Sequence, residues 1–167
     1  MTIRDVQLDD FPALAALTNH YILTTPIHFG YGPVSADELR HLWESHPKHP
    51  YLVMTEESQE SPRRAALLGY AKAAVWRERA AYSRTAEVGI YLDPSAHGRG
   101  LGKTLYRALI DRCRAAGYHC LVGGLTLPNP ASARLHEACG FVHVGTFRQV
   151  GWKFAAWHDV AFYQLML

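Results

Sequence analysis

The sequence predicts an α/β (α+β) domain built around one central sheet. Two patterns carry that prediction. Short runs rich in β-branched and aromatic residues alternate with segments whose apolar residues recur every three or four positions, so strands and helices interleave along the whole chain. No repeat, low-complexity tract or shift of composition divides the 167 residues, so one domain over 1–167 is expected, with enough chain for a sizeable core.

A first strand is expected over 2–8. Asp9 or Asp10 then caps a helix that tolerates Pro12 in its first turn and aligns Leu14, Leu17, Tyr21 and Ile22. Thr25-Pro26 stops it, and Gly30-Tyr31-Gly32-Pro33 reads as a loop. Ser35 or Asp37 caps a second helix reaching Ser45. Residues 51–55 and 65–76 read as strands two and three, around a charged loop over 56–64 that holds Pro62. Strand four covers 87–92, and Gly89 in its middle marks a bulge or a close approach to the backbone. Behind it, Leu101, Leu105, Leu109 and Cys113 recur at helical spacing up to Gly117, a C-terminal stop. A strand over 119–127, a helix over 129–139 ended by Gly140, and strands over 141–150 and 161–167 complete the order.

Composition narrows the function classes. With 49% apolar and 19% charged residues and a net charge of +2, the chain carries no strong field for nucleic acid. Its ten histidines are scattered; the closest group, His41, His46 and His49, lacks cysteine or acidic companions at metal-ligand spacing, so no metal is expected. The three cysteines make an odd number without a CxxC pair, and Cys113 on an apolar stripe reads as a buried, reduced thiol. No secretory pattern opens the chain and no apolar run nears the ~20 residues that span a membrane, so a cytoplasmic location is expected.

The chemistry concentrates at His97-Gly98-Arg99-Gly100-Leu101-Gly102, between strand four and the helix behind it. The first N–H groups of a helix have no partner within it, and the helix dipole favours negative charge there. Glycines let the chain pass close to a phosphate, and Arg99, Lys103 and Arg107 add positive charge. A pyrophosphate-bearing ligand fits this arrangement. Two other phosphate motifs do not: Gly102-Lys103-Thr104 has the end of a P-loop, but residues 93–97 hold no glycine to open it, and the strand after the helix has no carboxylate for a dinucleotide ribose.

The stretch 87–141 resembles the GCN5-related N-acetyltransferases. That family shows a strand, a Gln/Arg-x-x-Gly-x-Gly/Ala loop opening a helix, a further strand, and an Asn-containing helix ending in Gly-Phe, here Asn129, Ser132 and Gly140-Phe141. Asn19-His20-Tyr21-Ile22, Trp76, Arg79-Ala80-Ala81-Tyr82, Thr85-Ala86-Glu87, Arg134-Leu135-His136-Glu137 and Trp157-His158-Asp159 resemble the phosphinothricin and methionine sulfoximine acetyltransferases within it. His97 stands where the family carries Gln or Arg, so weaker or differently tuned coenzyme binding is expected.

The resemblance implies a central mixed, mostly antiparallel sheet flanked by helices and splayed at strands four and five. It also implies direct transfer of acetyl from acetyl-CoA to the α-amine of a small amino-acid-like acceptor, in a homodimer. On the same ground, Ile90, Tyr91, Leu92, Gly98, Arg99, Gly100, Leu101, Gly102, Lys103 and Asn129 hold the coenzyme. Glu87 is the general base, His136 occupies the place of the acid for the leaving thiolate, and Phe29, Arg77, Arg79 and Tyr82 line the acceptor pocket. The chemistry asks for such groups: the amine must lose a proton, the oxyanion needs a donor and the thiolate needs a proton. A carboxyl partly desolvated in a cleft gains a raised pKa suited to a base. An N–H near Ile90 or Tyr91, freed by a bulge at Gly89, would serve the oxyanion, and a guanidinium grips a carboxylate bidentately. Read as residues alone, Glu87 is a surface carboxylate at a strand start, His136 a packed helix histidine, and Asn129 a helix cap ahead of Pro130. Other activities left open are acetylation of protein N-termini or polyamines, and a non-catalytic acyl-CoA sensor.

Overall fold

The structure, a computed structural model, describes residues 1–56 and 65–167. Along the chain these form β1 (Thr2–Asp5), α1 (Phe11–Thr24), α2 (Ala36–Glu44), β2 (Tyr51–Glu56), β3 (Ala66–Val75) and β4 (Thr85–Leu92). Then come α3 (Leu101–Ala115), β5 (Cys120–Thr126), α4 (Pro130–Ala138), β6 (Val142–Lys153) and β7 (Ala156–Met166). The strands make one seven-stranded sheet in the order β1-β2-β3-β4-β5-β7-β6. Every neighbouring pair is antiparallel except β4 and β5, which run parallel. Most of the loop expected over 56–64 lies outside the described residues.

Helices cover the two faces of the sheet. On one, Leu105, Tyr106, Leu109 and Cys113 of α3 pack on Leu52, Met54, Ala71, Val88 and Leu121. On the other, Phe11, Leu14, Leu17 and Tyr21 of α1 and Leu39 of α2 pack on Tyr51, Val53 and Tyr70. Strand β2 is therefore buried on both sides, which is why Tyr51-Leu52-Val53-Met54 reads as a continuous apolar run. Cys113 lies in the α3 layer as a free thiol, pushed up to about 12 by burial.

Local signals act largely as their chemistry requires. Ser35 caps α2 in a reciprocal box: its Oγ accepts from the Glu38 N–H, and Glu38 accepts from the Ser35 N–H. Asp10 precedes α1, but its carboxylate accepts from the Gln7 N–H and pairs with Arg4 at 2.6 Å. The two last strands run longer than the sequence predicts and join in one hairpin. Its tip, Phe154-Ala155, has φ of 49° and 54°, a left-handed pair usually made by Asn-Gly, so the residues gave no turn signal.

Candidate active site

Strand β4 organises the site through its two edges. Its ladder with β3 runs unbroken from Gly69↔Leu92 to Val75↔Ala86, so the bulge expected at Gly89 is absent from that ladder. The other edge is what frees the backbone. Strand β5 pairs with β4 only at Thr85↔Cys120, Ala86↔Leu121 and Glu87↔Val122, and beyond Glu87 the two part. The Asp93 N–H donates to the Leu68 carbonyl at 2.9 Å. Backbone groups alternate along an antiparallel strand, so odd-numbered residues of β4 turn their N–H to β3, while Ile90 and Leu92 turn theirs to the gap. Of the two donors expected from sequence, Ile90 faces the opening and Tyr91 belongs to the β3 ladder.

The gap widens into a cleft of about 470 Å³, walled by Ile90, Tyr91 and Leu92 on one side and by Gly98, Gly100, Leu101, Gly102 and Lys103 on another. Gly98 and Gly100 have φ of 73° and 74°, and nothing lies within 4 Å of a Cβ built on either, so their need for glycine is conformational. Gly102 differs: a Cβ there would stand 3.3 Å from Leu92 and 3.4 Å from Leu135, so its absence lets α3 close on β4 and α4. Helix α3 starts without a side-chain cap, which leaves its first N–H groups unpartnered beside the cleft. Open left-handed glycines, free amides and the Lys103 charge fit a pyrophosphate. Arg99, expected in this cradle, turns away and meets Glu56 at 3.1 Å. Asn129 caps α4, its Oδ1 accepting from the Ser132 N–H at 3.1 Å, and the residue borders the cleft.

Glu87 stands at the vertex where β4 and β5 part, opposite Ala74 on β3 and Val122 on β5. Its surroundings push its carboxyl above the ordinary range by desolvation, while the charges of Arg77 and Lys72 pull it back. Lys72, on the same face and opposite Gly89, was not singled out by sequence; nothing in its local pattern marks it, since only the cross-strand register brings it to Glu87. Burial lowers its pKa and Glu87 opposes that shift.

His136 lies elsewhere. It is 3% exposed and packed among Tyr106, Phe141 and Tyr163 in the core. Its Nδ1–H donates to the Ser132 carbonyl at 2.8 Å, so Nε2 accepts from the Tyr106 hydroxyl at 3.0 Å. A Cβ on Gly123 would come 2.4 Å from that Nε2, so the ring fills the space the glycine leaves. The structure thus gives His136 the packed position and does not place it on the cleft wall.

The acceptor residues fall into two groups. Arg77, Arg79 and Tyr82 border one open depression beyond the end of β3, with Arg77 stacked 5.0 Å over Trp76. Phe29 is not in that depression; its ring lies against Gly151 and 6.3 Å from His158. His28 beside it sits 6.0 Å from Tyr91. Tyr21, on the apolar stripe of α1, also borders the cleft beside β4.

The model of the acetyltransferase (GNAT) family matches residues 14–141. The chain belongs to this family. As a GNAT member it is an acetyl-CoA-dependent N-acetyltransferase, and the parallel, early-ending β4–β5 pair is its splayed centre. A phosphinothricin N-acetyltransferase of Streptomyces coelicolor is 41% identical over 157 residues, 93% of this chain and 90% of that protein. An L-methionine sulfoximine/L-methionine sulfone acetyltransferase of Salmonella typhimurium is 34% identical, covering 100% of this chain and 95% of that one. Among solved GNAT structures, the phosphinothricin acetyltransferase of Sinorhizobium meliloti in complex with AcCoA superposes with a TM-score of 0.89 at 33% identity, over 99% of this chain and 88% of that one. Among the described residues of this GNAT chain, no helix is long and apolar enough to cross a membrane.

Proposed function

We propose that the chain transfers acetyl from acetyl-CoA to the α-amine of a small amino-acid-like acceptor such as phosphinothricin, methionine sulfoximine or methionine sulfone. The observation that carries this reading is Glu87 at the splay vertex, one carboxylate beside the only stretch of β4 that β5 leaves unpaired. The names of the relatives support the acceptor class. Bound acetyl-CoA supplies an acyl group activated as a thioester. The free amides at the start of α3 and the left-handed glycines hold its pyrophosphate, and the gap-facing groups of Ile90 and Leu92 hold its extended arm.

Glu87 takes the proton of the acceptor ammonium, directly or through water; a carboxyl held above its usual range is suited to that transfer. The Ile90 N–H, fixed by the β3 ladder and aimed into the gap, donates to the developing oxyanion without reorganising. Collapse of that oxyanion breaks the C–S bond, and the departing thiolate takes up the proton that the new amide nitrogen sheds. Arg77 and Arg79 meet the acceptor carboxylate, and Tyr82 and Phe29 border its side chain. Those two cations favour an anionic acceptor over a polyamine, which would call for carboxylates. The β6–β7 hairpin leaves Val144, Phe147, Val150 and Trp157 exposed as large apolar side chains, which supports a homodimer.

A thiol-release assay with acetyl-CoA over a panel of amines tests the reading. Turnover is expected with methionine sulfoximine, methionine sulfone or phosphinothricin. Turnover on peptides or polyamines with none on any amino-acid analogue overturns it. Light scattering of the purified chain reads the oligomeric state.

A further inference from the structure

We propose that Lys153 is a positioning residue for the acceptor pocket, fastening the loop that carries His28 and Phe29 to the β6–β7 hairpin. Lys153 ends β6 and is 2% exposed. Its Nζ donates to the carbonyls of Ile22 at 2.5 Å, Thr25 at 3.0 Å and His28 at 2.5 Å. An ammonium has three N–H groups, so each is matched by one acceptor. A buried ammonium is tolerated only when so satisfied.

The three acceptors explain why the contact holds a loop. Ile22 lies in the last turn of α1, where carbonyls lack helical partners and the dipole is negative. Thr25 and His28 lie past the helix, where the chain has no ladder of its own. Two neighbours repeat the attachment: the Tyr31 hydroxyl donates to the Trp152 carbonyl, and the Phe29 ring packs on Gly151 so closely that a Cβ there would come 2.3 Å from it. Residues 151–153 therefore grip residues 28–31 at three successive points. The gripped segment sets His28 on Tyr91, on the Glu87 side of the sheet. Lys153 touches no reacting atom and acts through Phe29 and His28. The inference rests on the reading that Phe29 borders the acceptor.

Lys153→Met and Gly151→Ala test it, the second displacing Phe29 while leaving the ammonium in place. Both variants are expected to raise the acceptor KM about tenfold or more, with kcat down less than about threefold and the acetyl-CoA Kd within about twofold. Lys153→Met is also expected to speed hydrogen exchange of the amides over 25–32. Unchanged exchange there overturns the anchor. Faster exchange with an unchanged acceptor KM, or an acetyl-CoA Kd that rises in step with it, overturns the link to the acceptor. Gly151→Ala keeps the kinetic test in hand if Lys153→Met fails to fold. If the unaltered chain turns over no amino-acid analogue, the proposed function fails by itself, and exchange still decides whether Lys153 holds the loop.

Discussion

The imidazole Nε2 of His97 lies 3.1 Å from the Tyr21 hydroxyl, and that hydroxyl spends its one proton on the Leu92 carbonyl at 2.6 Å. A carbonyl only accepts, so the ring must donate to Tyr21, and His97 carries its proton on Nε2. The first residue of the glycine loop is thereby tied through α1 to the end of β4. Here the residue that departs from the family pattern has a structural task in addition to any contact with phosphate.

Replacing Tyr21 with Phe removes both bonds at once. The acetyl-CoA KM is expected to rise several-fold while the acceptor KM stays nearly constant. Stability should fall by about 1–3 kcal/mol, two hydrogen bonds at the usual net value of about 0.5–1.5 kcal/mol each. Steady-state kinetics against each substrate, with denaturant titration, checks both.

On the proposed mechanism, Glu87 sets the acid limb of the pH profile. Only its carboxylate takes a proton, so kcat/KM should rise with pH as it ionises, and burial places that rise above the ordinary carboxyl value of 4.5. The Arg77 charge pulls the group down, so Arg77→Met should move the limb toward higher pH. Glu87→Gln should flatten the limb and lower kcat by about 10²–10⁴-fold. A full pH–rate profile of the three proteins settles each point.

Gly100 has a φ of 74° with open space around it, so a larger residue there strains the backbone without clashing. Gly100→Val is expected to cost about 1–2 kcal/mol of loop strain and to weaken acetyl-CoA binding, read by calorimetry, while the acceptor KM changes little. Equal coenzyme affinity in the variant would remove the loop from the coenzyme site.

Burial holds His28, His49 and His136 below the ordinary imidazole value of 6.5. As pH falls, the unfolded chain takes up protons first, so stability should decline as pH drops below about 6.5. Urea midpoints at about pH 7.5 and 5.5 measure the slope. His136→Leu should lessen it, at a cost near neutrality of about 1–3 kcal/mol for the Tyr106 hydroxyl left without its acceptor.

The sequence makes some of this legible and hides the rest for identifiable reasons. The strand, glycine loop and helix around Gly100 are local: positive φ and free amides are written in adjacent residues. Glu87 at a strand start is local too, but its place at the vertex depends on where β5 leaves off, which no neighbour of Glu87 encodes. Lys153 and the carbonyl of Ile22 are 131 positions apart, so their bond follows from the hairpin crossing the end of α1. That hairpin was hidden because Phe154-Ala155 makes a left-handed turn without glycine or asparagine. His136 marks the limit of a local reading: the residues alone give a packed helix histidine, as the structure has it, while the face it turns, inward to Tyr106, is a tertiary fact.

The short partnership of β4 with β5 separates the two ends of the reaction by how they respond to sequence drift. The gap-facing amide of Ile90 is supplied by the main chain, so almost any side chain at position 90 preserves it, and only proline deletes it. Donor recognition is buffered in this way against point substitution. In the proposed reading the acceptor side consists of side chains from the loop after α1 and the connection between β3 and β4, and each can change alone. A protein built like this can change the amine it serves while its coenzyme site stays as it is.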